Sequence, residues 1–191
     1  MRRCCHVMIV AVLVLFVVSC APKYMIVQDP VPRPTEGKAI VNFLRPSSFG
    51  KGVKGPIWDG EKLIAISLGK MAFQYECDAG KHIFIAWSEF KSPVEAELLP
   101  DRVYYIVLRT RMGWWRGRIH QVPVTKDDPL WEQTLAWQKD LPNYTFDPSA
   151  LAKIEAESKE KILKYLEYYD SEVKGTKHVK YLRPEDGVPI N

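Results

Sequence analysis

Between Ala39 and Val122 the chain lays down eight short runs rich in Val, Ile, Phe, Tyr and Trp, and turn signals separate most of them. The runs are Ala39–Arg45, Val53–Trp58, Lys62–Leu68, Met71–Cys77, His82–Ser88, Ser92–Leu98, Arg102–Thr110 and Trp115–Val122. Several alternate apolar with polar residues, which is the period of a strand with one buried face. The breaks are Asp59-Gly60, Gly69-Lys70, Asp78-Ala79-Gly80, Pro100-Asp101 and Met112-Gly113. Asp-Gly between two such runs predicts a tight hairpin, because Gly accepts the positive φ of a type I′ turn. Short strands at regular intervals, with no helix between them, predict a mainly-β fold. We expect a β-sandwich-like domain over 39–124, built like immunoglobulin or prealbumin domains from antiparallel sheets.

The N-terminus predicts an address rather than a structure. Arg2 and Arg3 precede an unbroken apolar run of twelve residues, Val7 to Val18. A spanning helix needs about 20 apolar residues, so this run has signal-peptide length. It ends in Val17-Val18-Ser19-Cys20. That ending resembles the bacterial lipobox, in which a diacylglyceryl group is joined to the Cys thiol. Cleavage then leaves an N-acylated Cys as the first mature residue. The resemblance implies a signal peptide over 1–19, lipidation (diacylglycerol and a fatty acid such as palmitate) at Cys20, and attachment to a membrane through those chains. Ala21, rather than Asp, after the Cys implies a periplasm-facing outer-membrane lipoprotein if the source has two membranes. The alternative is an uncleaved anchor with Cys20 unmodified.

The remaining cysteine, Cys77, has no partner for a disulfide in the mature chain and reads as a buried small hydrophobe at a strand end. Residues 20–38 hold Pro22, Pro30, Pro32 and Pro34 and read as a polyproline tether reaching roughly 50 Å. Tyr24-Met25-Ile26-Val27 could instead dock as an edge strand.

After Val124 the pattern changes to helix, over 125–175. Asp127–Leu141 presents Leu130, Trp131, Leu135 and Trp137. Asp147-Pro148 is a helix start, with Asp as N-cap and Pro in the first turn. A long helix then runs to about Lys174, with Gly175 as its stop. Leu151, Ile154, Ile162, Leu166, Tyr169 and Val173, with Tyr165, fall on one stripe. That stripe either packs on the sandwich or binds an envelope protein partner. Glu155–Lys159, Glu157–Lys161 and Glu160–Lys164 are favourable i,i+4 pairs. The tail, 176–191, reads as extended.

Residues from Lys38 to about Val122 resemble an uncharacterised domain family of bacterial lipoproteins. The resemblance rests on Arg45-Pro46-Ser47, the loop glycines Gly50 and Gly52, the run Trp58-Asp59-Gly60-Glu61-Lys62-Leu63-Ile64, Gly69 with Phe73 and Tyr75, Gly80-Lys81-His82 with Trp87, and Tyr104-Tyr105. It implies a β-rich envelope domain and no particular activity.

No catalytic signature is present: no GxSxG elbow, HExxH, Walker loop or dinucleotide fingerprint. His82, His120 and His178 have no metal-ligand spacing, so no metal or cofactor is expected. Removing Arg2 and Arg3 with the signal takes the formal charge from +4 to +2, too small to argue for nucleic acid. One cluster is worth an argument. Arg109, Arg111, Trp114, Arg116, Arg118 and His120 surround Met112-Gly113. With a two-residue turn, Arg111 would face Trp114, Arg109 would face Arg116 and Val107 would face Arg118. Tyr104, Ile106, Leu108, Trp115 and Ile119 would then form the apolar face, and the cations would share the other. Opposed arginines are destabilising, so a pure folding argument would not place them there. Two accounts stand: an anion site, or neutralisation by Glu95 and Glu97 if Pro100-Asp101-Arg102 closes a hairpin. The leading expectation is a non-enzymatic interaction or structural module of the envelope. The alternative is a binder of an anionic envelope component, such as lipid phosphate, lipopolysaccharide or glycan, through the Arg/Trp hairpin. An enzyme with an unrecognised site is third.

Overall fold

The computed structural model describes residues 24–49, 52–114 and 117–190. Cys20 and the expected signal peptide therefore lie outside the described residues, as do Trp115 and Arg116. The strands are β1 (Met25–Val27), β2 (Lys38–Arg45), β3 (Gly55–Asp59), β4 (Lys62–Ser67), β5 (Met71–Asp78), β6 (Gly80–Trp87), β7 (Lys91–Leu98), β8 (Arg102–Met112), β9 (Gly117–Val124), β10 (Asn143–Phe146), β11 (Lys180–Leu182) and β12 (Val188–Pro189). Two helices, α1 (Trp131–Asp140) and α2 (Pro148–Tyr168), follow the sandwich strands. The mainly-β fold with a helical extension is what the sequence predicts.

The first sheet runs β1-β10-β5-β2-β8-β12, with β9 also on β8; the second runs β11-β7-β6-β3-β4. Both sheets are mixed rather than antiparallel. β2 and β8 pair in parallel, as do β10 with β5 and β11 with β7. The cause is at the turns. Asp59-Gly60 closes a true hairpin between β3 and β4, with Gly60 at φ +54. By contrast, among the sandwich strands the chain passes from one sheet to the other after β2, β4, β5 and β7. Asp101, at φ 57, turns the last of these corners, which is uncommon for a non-glycine residue.

The core lies between the sheets. Phe43 stacks on Phe73 at 4.6 Å within the first sheet and meets Phe84 of the second edge-on at 5.4 Å. Each sheet is also covered on its outer face. α1 covers the first, packing Leu130, Trp131, Leu135 and Trp137 onto Leu44, Tyr105, Val107 and Val124. The segment 28–37 lies on that same face. Its prolines lack N–H groups, and the N–H groups of Val31 and Thr35 donate to Gln74 Oε1 and Glu76 Oε1, each at 2.6 Å. Residues read as a tether are thus strapped to the body, and β1 pairs with β10 as an edge strand.

α2 covers the second sheet. Asp147 caps it, its Oδ1 accepting from the Ser149 and Ala150 N–H groups. Leu151, Ile162, Tyr165 and Tyr169 are buried in the core, and Ile154, Leu166 and Val173 are partly buried against it. The stripe therefore packs within the chain. Glu160–Lys164 forms as expected, at 2.6 Å. Glu155 instead accepts from the Leu63 N–H, and Lys159 reaches Glu61. The helix ends in a π-turn, Tyr169–Val173, and Gly175 at φ +75 follows it.

The tail is structural too. β11 extends the second sheet and β12 the first, while Tyr104 Oη donates to the Pro184 carbonyl and Arg102 to that of Gly187. Arg45 is fully buried, its Nη1 donating to the Val53 and Ser67 carbonyls and to Ser67 Oγ. It ties the loop after β2 to the end of β4. Arg45→Ala should destabilise the fold by about 3 kcal/mol or more, since it empties a large buried volume and strands three acceptors. Chemical denaturation of the two proteins checks this.

Candidate functional site

The β8–β9 hairpin carries the candidate residues. Its register differs from the two-residue turn expected: Arg109 pairs with His120, Arg111 with Arg118 and Met112 with Gly117. The loop is therefore four residues, 113–116. A shift of four is even, so the faces stay as predicted while every partner changes. Ile106, Leu108 and Ile119 are buried on one face, and Arg109, Arg111, Arg118 and His120 share the other. Arg116 and Trp115 lie outside the described residues.

Glu95 and Glu97 do not neutralise this face. β7 and β8 belong to different sheets, so the hairpin that would have opposed them does not exist. Glu95 accepts instead from Tyr169 Oη at 2.5 Å. The acid that does reach the cluster is Glu89, which pairs with Arg118 Nη2 at 3.2 Å. Arg118 Nε is buried and finds no partner among the described residues.

The tail adds a cation that sequence spacing could not reveal. Lys180 sits on β11, some 60 residues beyond the hairpin, and its pKa is lowered by burial and then by the positive charges of Arg111 and Arg109. His120 is likewise held below its usual value by burial, then by Arg111, Lys180 and Arg118. Among the described residues, the charged groups that shift Lys180 and His120 are all cations. Phe90, from the β6–β7 turn, stacks against His120 at 6.2 Å and meets His178 edge-on at 6.3 Å. Arg111 is exposed, and beyond it Met112 and Trp114 stand 77% and 82% exposed.

Like charges directly across a strand pair cost stability. Arg111 opposite Arg118, with Arg109 and Lys180 beside them, is such an arrangement. Arg presents a planar fork that suits the oxygens of phosphate, sulfate or carboxylate. An incoming anion would relieve the repulsion and take bidentate hydrogen bonds.

Two other places deserve comparison. His82, read from sequence as a turn residue, joins a half-buried network at the β5–β6 corner. Its Nδ1 lies 2.9 Å from Asp59 Oδ2, its Nε2 lies 2.9 Å from the Asp78 carbonyl, and Tyr75 Oη donates to Asp59 at 3.0 Å. The hydrogen bond to Asp59 pushes the His82 pKa up to about 10, against the opposing pull of burial. A ring donating from both nitrogens has no lone pair left to act as a base, so this is a structural clamp. The groove between the end of α2 and β7–β11, about 640 Å³, is lined by Lys81, Lys174 and Arg183 against Glu95, Glu97 and Asp170. With His82 also in the lining, four cations stand against three acids, so most of the charge is paired within the groove itself. Cys77 is buried, as expected. Among the described residues no cluster of His, Cys, Asp and Glu could hold a metal ion, and no helix is long and apolar enough to cross a membrane.

Comparison of the chain with protein-family models, with curated proteins and with solved structures finds no match.

The clamp has a signed pH dependence. The His82 pKa is higher folded than unfolded, so its contribution is complete below about pH 6.5 and is lost as pH rises through about 10. The thermal midpoint of the wild type should fall across that window, and that of His82→Gln should change less. Melting curves at both ends of the window check it.

Proposed function

We propose that this chain is a lipid-anchored envelope lipoprotein that works without catalysis, as a binding module for an anionic envelope component. The carrying observation is the convergence of Arg109, Arg111 and Arg118, on the β8–β9 edge of the first sheet, with Lys180, on the β11 edge of the second, and with Glu89 as an acid paired there. The chemistry recognised is an oxyanion held by guanidinium forks: lipid phosphate, lipopolysaccharide or acidic glycan. Membrane attachment through Cys20 and residence in the envelope belong to this proposal and rest on the order Arg2-Arg3, apolar run, Ser19, Cys20. An interaction through the α2 stripe is the weaker alternative, because that stripe packs on the second sheet.

Arg109→Gln/Arg111→Gln removes two cations that carry little of the core, so folding should be unaffected. Binding of the full-length chain, in detergent, to a soluble polyphosphate should weaken by at least about tenfold in the double variant. Wild-type affinity should fall with added salt. Calorimetric titration reads both, and equal affinity for the two proteins would end this reading.

A further inference from the structure

Anion binding accounts for the arginines of the hairpin but not for what stands beyond them. Met112 and Trp114 are among the most exposed large apolar side chains of the described residues. Met112 follows Arg111 as the last residue of β8, and Trp114 stands two residues further on. Phe90, 41% exposed, flanks His120 on the same edge. The loop between β2 and β3, whose Val53 lies where a side chain on Gly117 would point, carries Phe49, 51% exposed. A soluble polyanion would need the cations alone and would leave these side chains in water. A surface that is anionic outside and apolar beneath uses both.

Deepening the anion-binding reading, on which it rests, we infer that the hairpin tip is a membrane-docking element: Trp114 and Met112 enter the interface of an anionic bilayer while Arg109, Arg111 and Lys180 hold its phosphates. Tryptophan suits that depth, since its ring is apolar and its N–H needs a polar partner. The cations sit one to three residues behind the apolar tip along β8, where headgroups would lie if the tip reached the acyl boundary. Charge complementarity selects the occupant. Each cation near an anionic surface contributes about 1 kcal/mol, and Glu89 subtracts little because Arg118 already holds it.

The test reads Trp114 itself. The full-length chain is reconstituted in vesicles of phosphatidylcholine alone or of two parts phosphatidylcholine to one of phosphatidylglycerol. The emission of Trp114 is taken as the difference between wild type and Trp114→Phe. On the anionic vesicles this component should shift to the blue, lose quenching by iodide and gain quenching by brominated lipid. Arg109→Gln/Arg111→Gln should lower the ratio of docked to free tips about thirtyfold, at about 1 kcal/mol per cation. Trp114 left open to iodide on anionic vesicles overturns docking, and so does equal protection on the neutral ones. The two proposals fail separately: arginine-dependent polyphosphate binding with a water-exposed Trp114 keeps the anion site and removes the membrane.

Discussion

A strand buried on both faces must be covered twice, and β2 is such a strand: Ala39 through Arg45 are all essentially inaccessible. Ala39, Val41 and Phe43 face the second sheet, and the residues between them need a second cover. That requirement explains most of what lies outside the sandwich strands. α1 and the segment 28–37 close the outer side of the first sheet, α2 closes the second, and the tail strands extend the edge of each. The buried polar groups follow the same logic. Gln121, fully buried, donates to the Phe84 and Ser92 carbonyls and so joins β9 to the second sheet, each bond offsetting a desolvation that would otherwise cost stability.

This construction decides where a ligand could be met. Faces of both sheets are occupied, so chemistry is left to the ends and edges. β8 outruns its neighbour β2, whose last partner on it is Val107, and carries the end of the hairpin past that strand. The packing that fixes the hairpin lies on its apolar face, where Ile119 sits against Gly55 and its N–H donates to Ser88. Cations on the other face are thus held on a rigid ribbon rather than on a loop. Their mutual repulsion is tolerated because burial of Ile106, Leu108 and Ile119 outweighs a few tenths of a kcal/mol per like pair.

All eight long strands were legible in the sequence, because each is long enough for its composition and its bounding turns to speak together. β10, β11 and β12 were not. Two to four residues carry no period, and what makes them strands is the free edge they meet. Topology was illegible for a related reason: Pro100-Asp101 looks the same whether it closes a hairpin or carries the chain between sheets. The site was half legible. Alternation placed Arg109, Arg111, Arg118 and His120 on one face correctly, since parity survives an even change of register. Their partners were wrong, and Lys180 was invisible, because no local pattern links residue 180 to residue 109. His82 looked like a turn residue since Asp59 reaches it only through the pairing of β3 with β6, and Tyr75 only through the packing of the two sheets.

The strapping of residues 28–37 and the pairing of β1 change the range of motion of the whole molecule. Read as a free tether, the segment after Cys20 would let the domain roam. With the body beginning at Tyr24, a lipid on Cys20 would be separated from it by three residues, which span at most about 14 Å between the two Cα atoms. On the proposed anchor at Cys20, that span would keep the domain beside its leaflet. Its encounters would be confined to that surface, and a ligand there would meet it at the high local concentration that confinement brings.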